Sequence, residues 1–209
     1  MNPTLTAQPL LTPEHQTAWS AALDLAQSCE VDARHAQQVT RLSLRLFDLL
    51  TQLHQLGSQE RFWLQCAAVL HDIGWLEGWK GHHKATLQII LNTHLLPFDA
   101  RTRLIVGSIA RYHRRALPSQ KHDHYAALAP AEQHVVGQLA AILRIADGLD
   151  RLHQNTIADL EVQIGEKKVT LRCGVLTRPA AEAEAALDKA DLFEQVFNRK
   201  VKLVWKLVS

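Results

Sequence analysis

At 209 residues, 47% hydrophobic and 21% charged, the chain is long enough to bury one substantial core with a small appendage. Its 23 basic and 21 acidic residues leave no large cationic field, so a nucleic-acid partner is not expected, whereas a small anionic substrate is compatible. Cys29, Cys66 and Cys173 are scattered without CxxC spacing, MNPTLTAQPL lacks the basic and apolar blocks of a leader, and no stretch approaches the ~20 apolar residues of a membrane span, which together predict a soluble cytoplasmic protein with neither a disulfide framework nor a cysteine zinc site.

Residues 1–12 read as a flexible polar arm. Thr12 and Pro13 form an N-cap and first-turn pair that opens a helix through about Cys29, with Trp19, Leu23 and Ala26 on one face. From Asp32 to about Leu53, the residues Val39, Leu42, Leu46, Leu49 and Leu53 recur at helical spacing, and His35 extends that stripe by one turn. Ser58 is placed to cap the next helix, in which Phe62, Cys66, Val69, Leu70 and Ile73 point inward, His71 and Asp72 fall in the last turn, and Gly74 supplies the stop. Helical patterns then run from about His83 to His94, Asp99 to Arg114 and Ala131 to Leu152, so residues 13–155 predict a helical domain of about six helices. Near Ile157 the period changes: Leu160, Val162 and Ile164 alternate, Gly165 to Lys167 can turn, and Val169, Leu171 and Cys173 alternate again. Ala180 to Phe197 predicts a helix with Leu187, Ala190 and Phe193 on a face, and Val201, Leu203, Trp205 and Leu207 a final strand. The fold class expected is mostly α, with residues 156–209 as a small α+β unit (hairpin, helix, strand) packed on the helical domain.

An ionised carboxylate is costly to bury unless paired or bound to metal, and Asp147 lies in register with Val136, Ala140 and Leu143. His35, His71 and His113 fall on apolar stripes in the same way, His113 following Ile105 and Ile109. One such histidine is more often a satisfied core residue than a ligand, but four separate helices here aim a ligand-type side chain inward. Imidazole and carboxylate together suit zinc, manganese, iron or magnesium, held between facing helices of a bundle. Asp150, on the same side of its helix as Asp147, can orient a ligand histidine or pair with Arg151 or Arg144. His122 and Asp123, in the segment LPSQKHDHYAALAP, read as a loop, and His15, His54, His134 and His153 as ordinary surface or partly buried residues.

The order of a histidine, a His-Asp pair and a distant aspartate in His35, His71, Asp72 and Asp147 resembles the ligand set of the HD superfamily of metal-dependent phosphohydrolases. The stretches LHDIGW, GHHKATLQIILN, ARYHRR, ADGLDRLH and KADLFEQVFNRK resemble more closely the C-terminal HD-type domain of the exopolyphosphatase/guanosine pentaphosphatase (Ppx/GppA) family, over roughly residues 15 to 205. That resemblance implies an HD-type helical bundle and one or two divalent ions per chain (manganese, magnesium, zinc or iron). Exopolyphosphatase activity itself belongs, in that family, to upstream actin-like domains, so it is not expected of this chain as a stand-alone relative. Candidates for a second metal site are His82, His83 and His113. Periodicity with Leu87 and Ile90 turns His83 inward, whereas the wider superfamily favours His82 with Thr86, and the choice stays open.

The function expected is hydrolysis of a nucleotide or other small phosphoester or phosphoanhydride by metal-activated water. Asp72, His82 or His83 would handle the proton, Lys84 or an arginine the leaving-group charge, and Lys84, Arg114, Arg115 and Arg144 are candidates to bind phosphate. Two alternatives carry the same residues: a di-iron oxygenase, and a non-catalytic module binding nucleotides or polyphosphate. A small phosphorylated substrate is the expected partner, with no nucleic acid and no membrane, and a homo-oligomer is compatible with the sequence. Trp75 and Trp79, near the expected site, are candidates for pocket walls or for simple packing.

Overall fold

Thr12 opens α1 (Pro13–Ser28) as predicted, its hydroxyl accepting from His15 N at 3.2 Å with Pro13 in the first turn. The computed structural model describes residues 12–78, 80–175 and 181–208, so the predicted arm up to residue 11, Trp79 and Ala180 lie outside the described residues. The buried face of α1 is Ala18, Ala22, Leu25 and Ala26 rather than the predicted Trp19–Leu23 face, and Leu23 is exposed. Of the predicted face, Ala26 is buried and Trp19 is partly buried against the core.

Asp32 caps α2 (Ala33–Leu49), accepting from Arg34 N at 3.1 Å and His35 N at 3.2 Å. The stripe Val39, Leu42 and Leu46 is buried, but the register breaks at Leu50, which is buried where Leu49 is only partly so. A short α3 (Thr51–His54) follows and ends at Gln55, whose φ of 53° is left-handed. Ser58 is the first residue of α4 (Ser58–Leu70) and not its cap: Gly57 holds that position, and Glu60 reaches back to accept from Gly57 N at 2.8 Å. The helix also stops earlier than Gly74, and His71 and Asp72 form a turn leading into a 3-10 segment, Ile73–Glu77.

Helices α5 (His82–Asn92), α6 (Ala100–Arg111) and α8 (Pro130–Gly148) match the three predicted helical patterns, with a short α7 (Asp123–Ala126) inside the predicted loop. Every residue of α8 from Val136 to Gly148 is buried, the mark of a helix surrounded on all sides. It packs against α2, α4 and α6 and, further on, against α9 (Ala181–Asp188) and α10 (Asp191–Phe197).

The predicted hairpin is β1 (Ile157–Ile164) against β2 (Lys168–Val175), antiparallel, with Leu160 opposite Cys173 and Val162 opposite Leu171. The final strand β3 (Lys200–Leu207) joins β2 in parallel, Leu203 opposite Leu171, which requires the crossover that α9 and α10 supply. The single predicted helix of this region is two, broken at Lys189 and Ala190, and Leu187 is exposed. Side chains of α2 dock the edge strand: Gln38 Nε2 donates to Ile157 O at 2.9 Å and Arg45 Nε to Leu160 O at 3.1 Å. Those bonds occupy carbonyls of an edge strand and fix the chain between α8 and β1, where Asp150 and His153 lie.

Candidate metal centre

Three histidines that face the middle of the bundle have their Nδ1 atoms already committed. His71 Nδ1–H donates to Ala68 O at 2.7 Å, and His113 Nδ1–H to Ala110 O at 2.7 Å. A carbonyl only accepts, so the proton sits on Nδ1 and Nε2 keeps its lone pair. His35 Nδ1 meets Asp150 Oδ2 at 2.8 Å, so Asp150 orients His35 rather than pairing with an arginine. His35 Nε2 and His71 Nε2 are buried with no hydrogen-bond partner, a cost that an ion taking their lone pairs removes.

Two groups of three result, His35 with His71 and Asp147, and Asp72 with His82 and His113, the donor atoms within each group lying within 4.8 Å of one another. Asp72 stands between the groups. Its Oδ2 is 3.4 Å from His71 Nε2 and 4.0 Å from His35 Nε2, while its Oδ1 is 3.3 Å from His82 Nε2 and 3.5 Å from His113 Nε2. All six side chains are buried, and their nitrogen and oxygen donors fit a divalent ion.

Protonation states agree with that fit. Burial raises the Asp72 carboxyl, but the imidazoles of His71, His82 and His113 around it outweigh that and hold the group well below the ordinary carboxylate range. At Asp147 burial likewise raises the carboxyl, but the Lys189 ammonium and the nearby His35 ring outweigh it, and this group also lies low. Burial keeps His71 and His113 below the ordinary imidazole value. His35 differs: burial pulls it down, but the Asp147 carboxylate 3.5 Å from its Nε2 and the hydrogen bond to Asp150 push it up to about 9. An ion taking His35 Nε2 therefore displaces a proton.

Two small features place the second group. Thr86 Oγ1 donates to His71 O at 3.0 Å and accepts from Gly74 N at 3.1 Å, tying the His71–Asp72 turn to α5. A Cβ on Gly74 would fall 2.1 Å from His82 O, so only glycine lets the 3-10 segment approach α5 so closely. Both His82 and His83 are buried, as helix periodicity and resemblance separately required, yet His82 alone joins a donor group. His83 has a partnerless Nδ1, and burial with the Arg111 charge pushes it down to about 4.

A cleft of about 170 Å³ opens beside this centre, lined in part by Asp72, His113, Asp147, Arg114, Arg151 and Lys189, and a second beside His35 and Asp32 shares Asp72, Trp75 and His153 with it. Arg114 is thus at the cleft as expected, and Trp75 forms a wall, its ring 5.1 Å from that of His82. Lys84 and Arg115 are exposed and line neither cleft. Arg144 is turned to another use: it is buried, and donates to Asp191 Oδ1 at 2.8 Å, Tyr112 O at 3.1 Å and Lys189 O at 3.3 Å. Its guanidinium is taken up by these acceptors at the α9–α10 junction, and it lines neither cleft.

Three residues at the centre went unread in the sequence. His153, expected to be ordinary, stacks on His35 with ring centroids 3.7 Å apart, and its Nδ1 is 2.9 Å from Asp32 Oδ2. Its φ of 57° is left-handed, a strained choice that aims the ring inward. Arg151 was weighed only as a partner of Asp150. Lys189, ion-paired with Asp147, lay inside a supposedly continuous helix, and the signal was Asp191, able to start a new one.

Over residues 19–195 the chain matches the model of a family described as Ppx/GppA phosphatase, domain III. The chain belongs to that family. The Ppx/GppA match runs from within α1 to within α10, so it takes in both donor groups and the segment carrying Lys189. No helix among the described residues is long and apolar enough to cross a membrane.

Proposed function

We propose that this Ppx/GppA domain III chain is a metal-dependent phosphohydrolase of HD type, acting on a nucleotide or another small phosphoester or phosphoanhydride. The observation that carries this reading is Asp72, whose two oxygens face two different sets of imidazole nitrogens, so that one carboxylate could serve two ligand groups. His35, His71 and Asp147 would hold one ion, His82 and His113 the other, and Asp72 both. Divalent ions there would supply Lewis acidity toward a phosphoryl oxygen and a water acidified toward neutrality.

Residues around the ligands complete the chemistry. Arg114 and Arg151 on the cleft wall pair with phosphate oxygens, guanidinium being suited to two parallel hydrogen bonds. Asp72 and His82 are engaged as ligands, and His83 lies away from the cleft, so proton handling passes from them to His153. With Nδ1 directed at Asp32, His153 presents Nε2 as the atom that takes or gives a proton.

Metal content measured by plasma mass spectrometry, on protein purified without chelator or nickel, tests the reading. About two divalent ions per chain are expected, falling to near zero in Asp72→Ala and reduced in His71→Ala, with hydrolysis of phosphodiester and nucleotide substrates lost in parallel. Iron accompanied by oxygen consumption would move the chain to oxygenase chemistry. Metal without turnover would leave a binding module, and no metal after reconstitution would end the catalytic reading.

A further inference from the structure

Lys189 belongs to neither donor group, yet its ammonium lies beside Asp147 on the cleft wall. The side chain is only 19% exposed, and an ammonium so placed is costly unless its donors are used. Asp147 Oδ2 accepts one of the three N–H donors, and the described residues offer the ammonium no second acceptor. Lys189 lines the same cleft as Arg114 and Arg151. Asp188 lines the same cleft, but as an exposed residue at its rim.

The fold holds this one residue in place with some force. Arg144 Nε donates to Lys189 O at 3.3 Å, and its Nη2 donates to Asp191 Oδ1 at 2.8 Å, gripping the chain at Lys189 and two residues beyond it. On the other side, a Cβ on Gly148 would fall 2.6 Å from Ala186 Cα, so glycine is needed for α9 to come so close to α8. A buried guanidinium and a required glycine thus converge on the α9–α10 break. Charge points the same way: Asp72, Asp147, Asp150 and Asp188 together bring no more negative charge than two divalent ions would carry, and Lys189, Arg114 and Arg151 add to the positive side. An anionic ligand, rather than the protein, is left to balance the cleft.

We propose that Lys189 is an anion-binding residue of this cleft, gripping a substrate phosphate oxygen with the donors that Asp147 leaves, so that the α9–α10 segment is a working part of the site. The inference rests on the phosphohydrolase reading above. Inorganic phosphate titrated by calorimetry into the metal-loaded protein tests it. Lys189→Met is expected to weaken phosphate binding by ~10-fold or more with metal content unchanged. Lys189→Arg should stay within a few-fold of wild type, and Lys202→Met, exposed on β3, should match wild type. If Lys189→Met does not fold, Lys189→Gln is judged by the same criteria. Unaltered phosphate binding by the variant overturns the inference alone, as does loss of metal together with phosphate, which would make Lys189 a positioning residue for Asp147. A metal-loaded wild type indifferent to millimolar phosphate also overturns it, and a wild type that takes up no metal overturns this inference and the hydrolase reading together.

Discussion

Asp150 uses one oxygen on His35 Nδ1 and the other on Asn155 N, at 2.8 Å each. An amide in its place has a single acceptor oxygen, so Asp150→Asn keeps the volume but must abandon one of those donors. Metal binding at the His35 group is expected to weaken ~10-fold or more with the fold retained, read by metal titration monitored alongside circular dichroism. Affinity equal to wild type would show that His35 needs no such orientation. The identities of the six candidate ligands were all readable as residue types on apolar stripes or in matching motifs. What periodicity could not read was their tautomers and partners, because a hydrogen bond from His35 to a residue 115 positions away leaves no local pattern.

Gly74 illustrates the same limit one level up. A glycine after an apolar helical run reads as a stop, but here α4 has already ended and the missing Cβ serves a close approach to α5 instead. Gly74→Ala must push the 3-10 segment away from α5, which is expected to cost about 1–3 kcal/mol in urea unfolding. It should also lower metal occupancy of the Asp72–His82–His113 group before that of the other. A variant of unchanged stability and occupancy would place the contact elsewhere. The choice between His82 and His83 belongs to this scale too. Both are buried in the first turn of α5; helix phase turned His83 inward, but the placement of α5 against α6 and the Asp72 turn brings His82 into the donor group.

Across the whole molecule, histidines that sit in the fold as neutral groups tie stability to pH. Burial and then the Arg111 charge push His124 down from 6.5 to about 4, and His83 lies at about 4 as well. Between those values the unfolded chain binds protons that the folded one refuses, so their contribution is full above about 6.5 and is lost as pH falls toward 4. His35, raised to about 9, acts in another window, its contribution full below about 6.5 and lost as pH rises through 9. The melting temperature of metal-free protein is therefore expected to fall from pH 6.5 to 4, more shallowly in His124→Gln; identical slopes would rule His124 out as a cause. The order of helices, the hairpin, the final strand and the six candidate ligands were legible in the chain itself, since burial periodicity and caps act over a few residues and ligand types follow from chemistry. Only the tertiary structure decided that β3 runs parallel to β2, that Asp72 faces two sets of histidines, and that His153 and Lys189 reach the centre while Arg144 does not. Those outcomes depend on how distant elements dock, and the docking energy is summed over contacts that no local stretch of sequence contains.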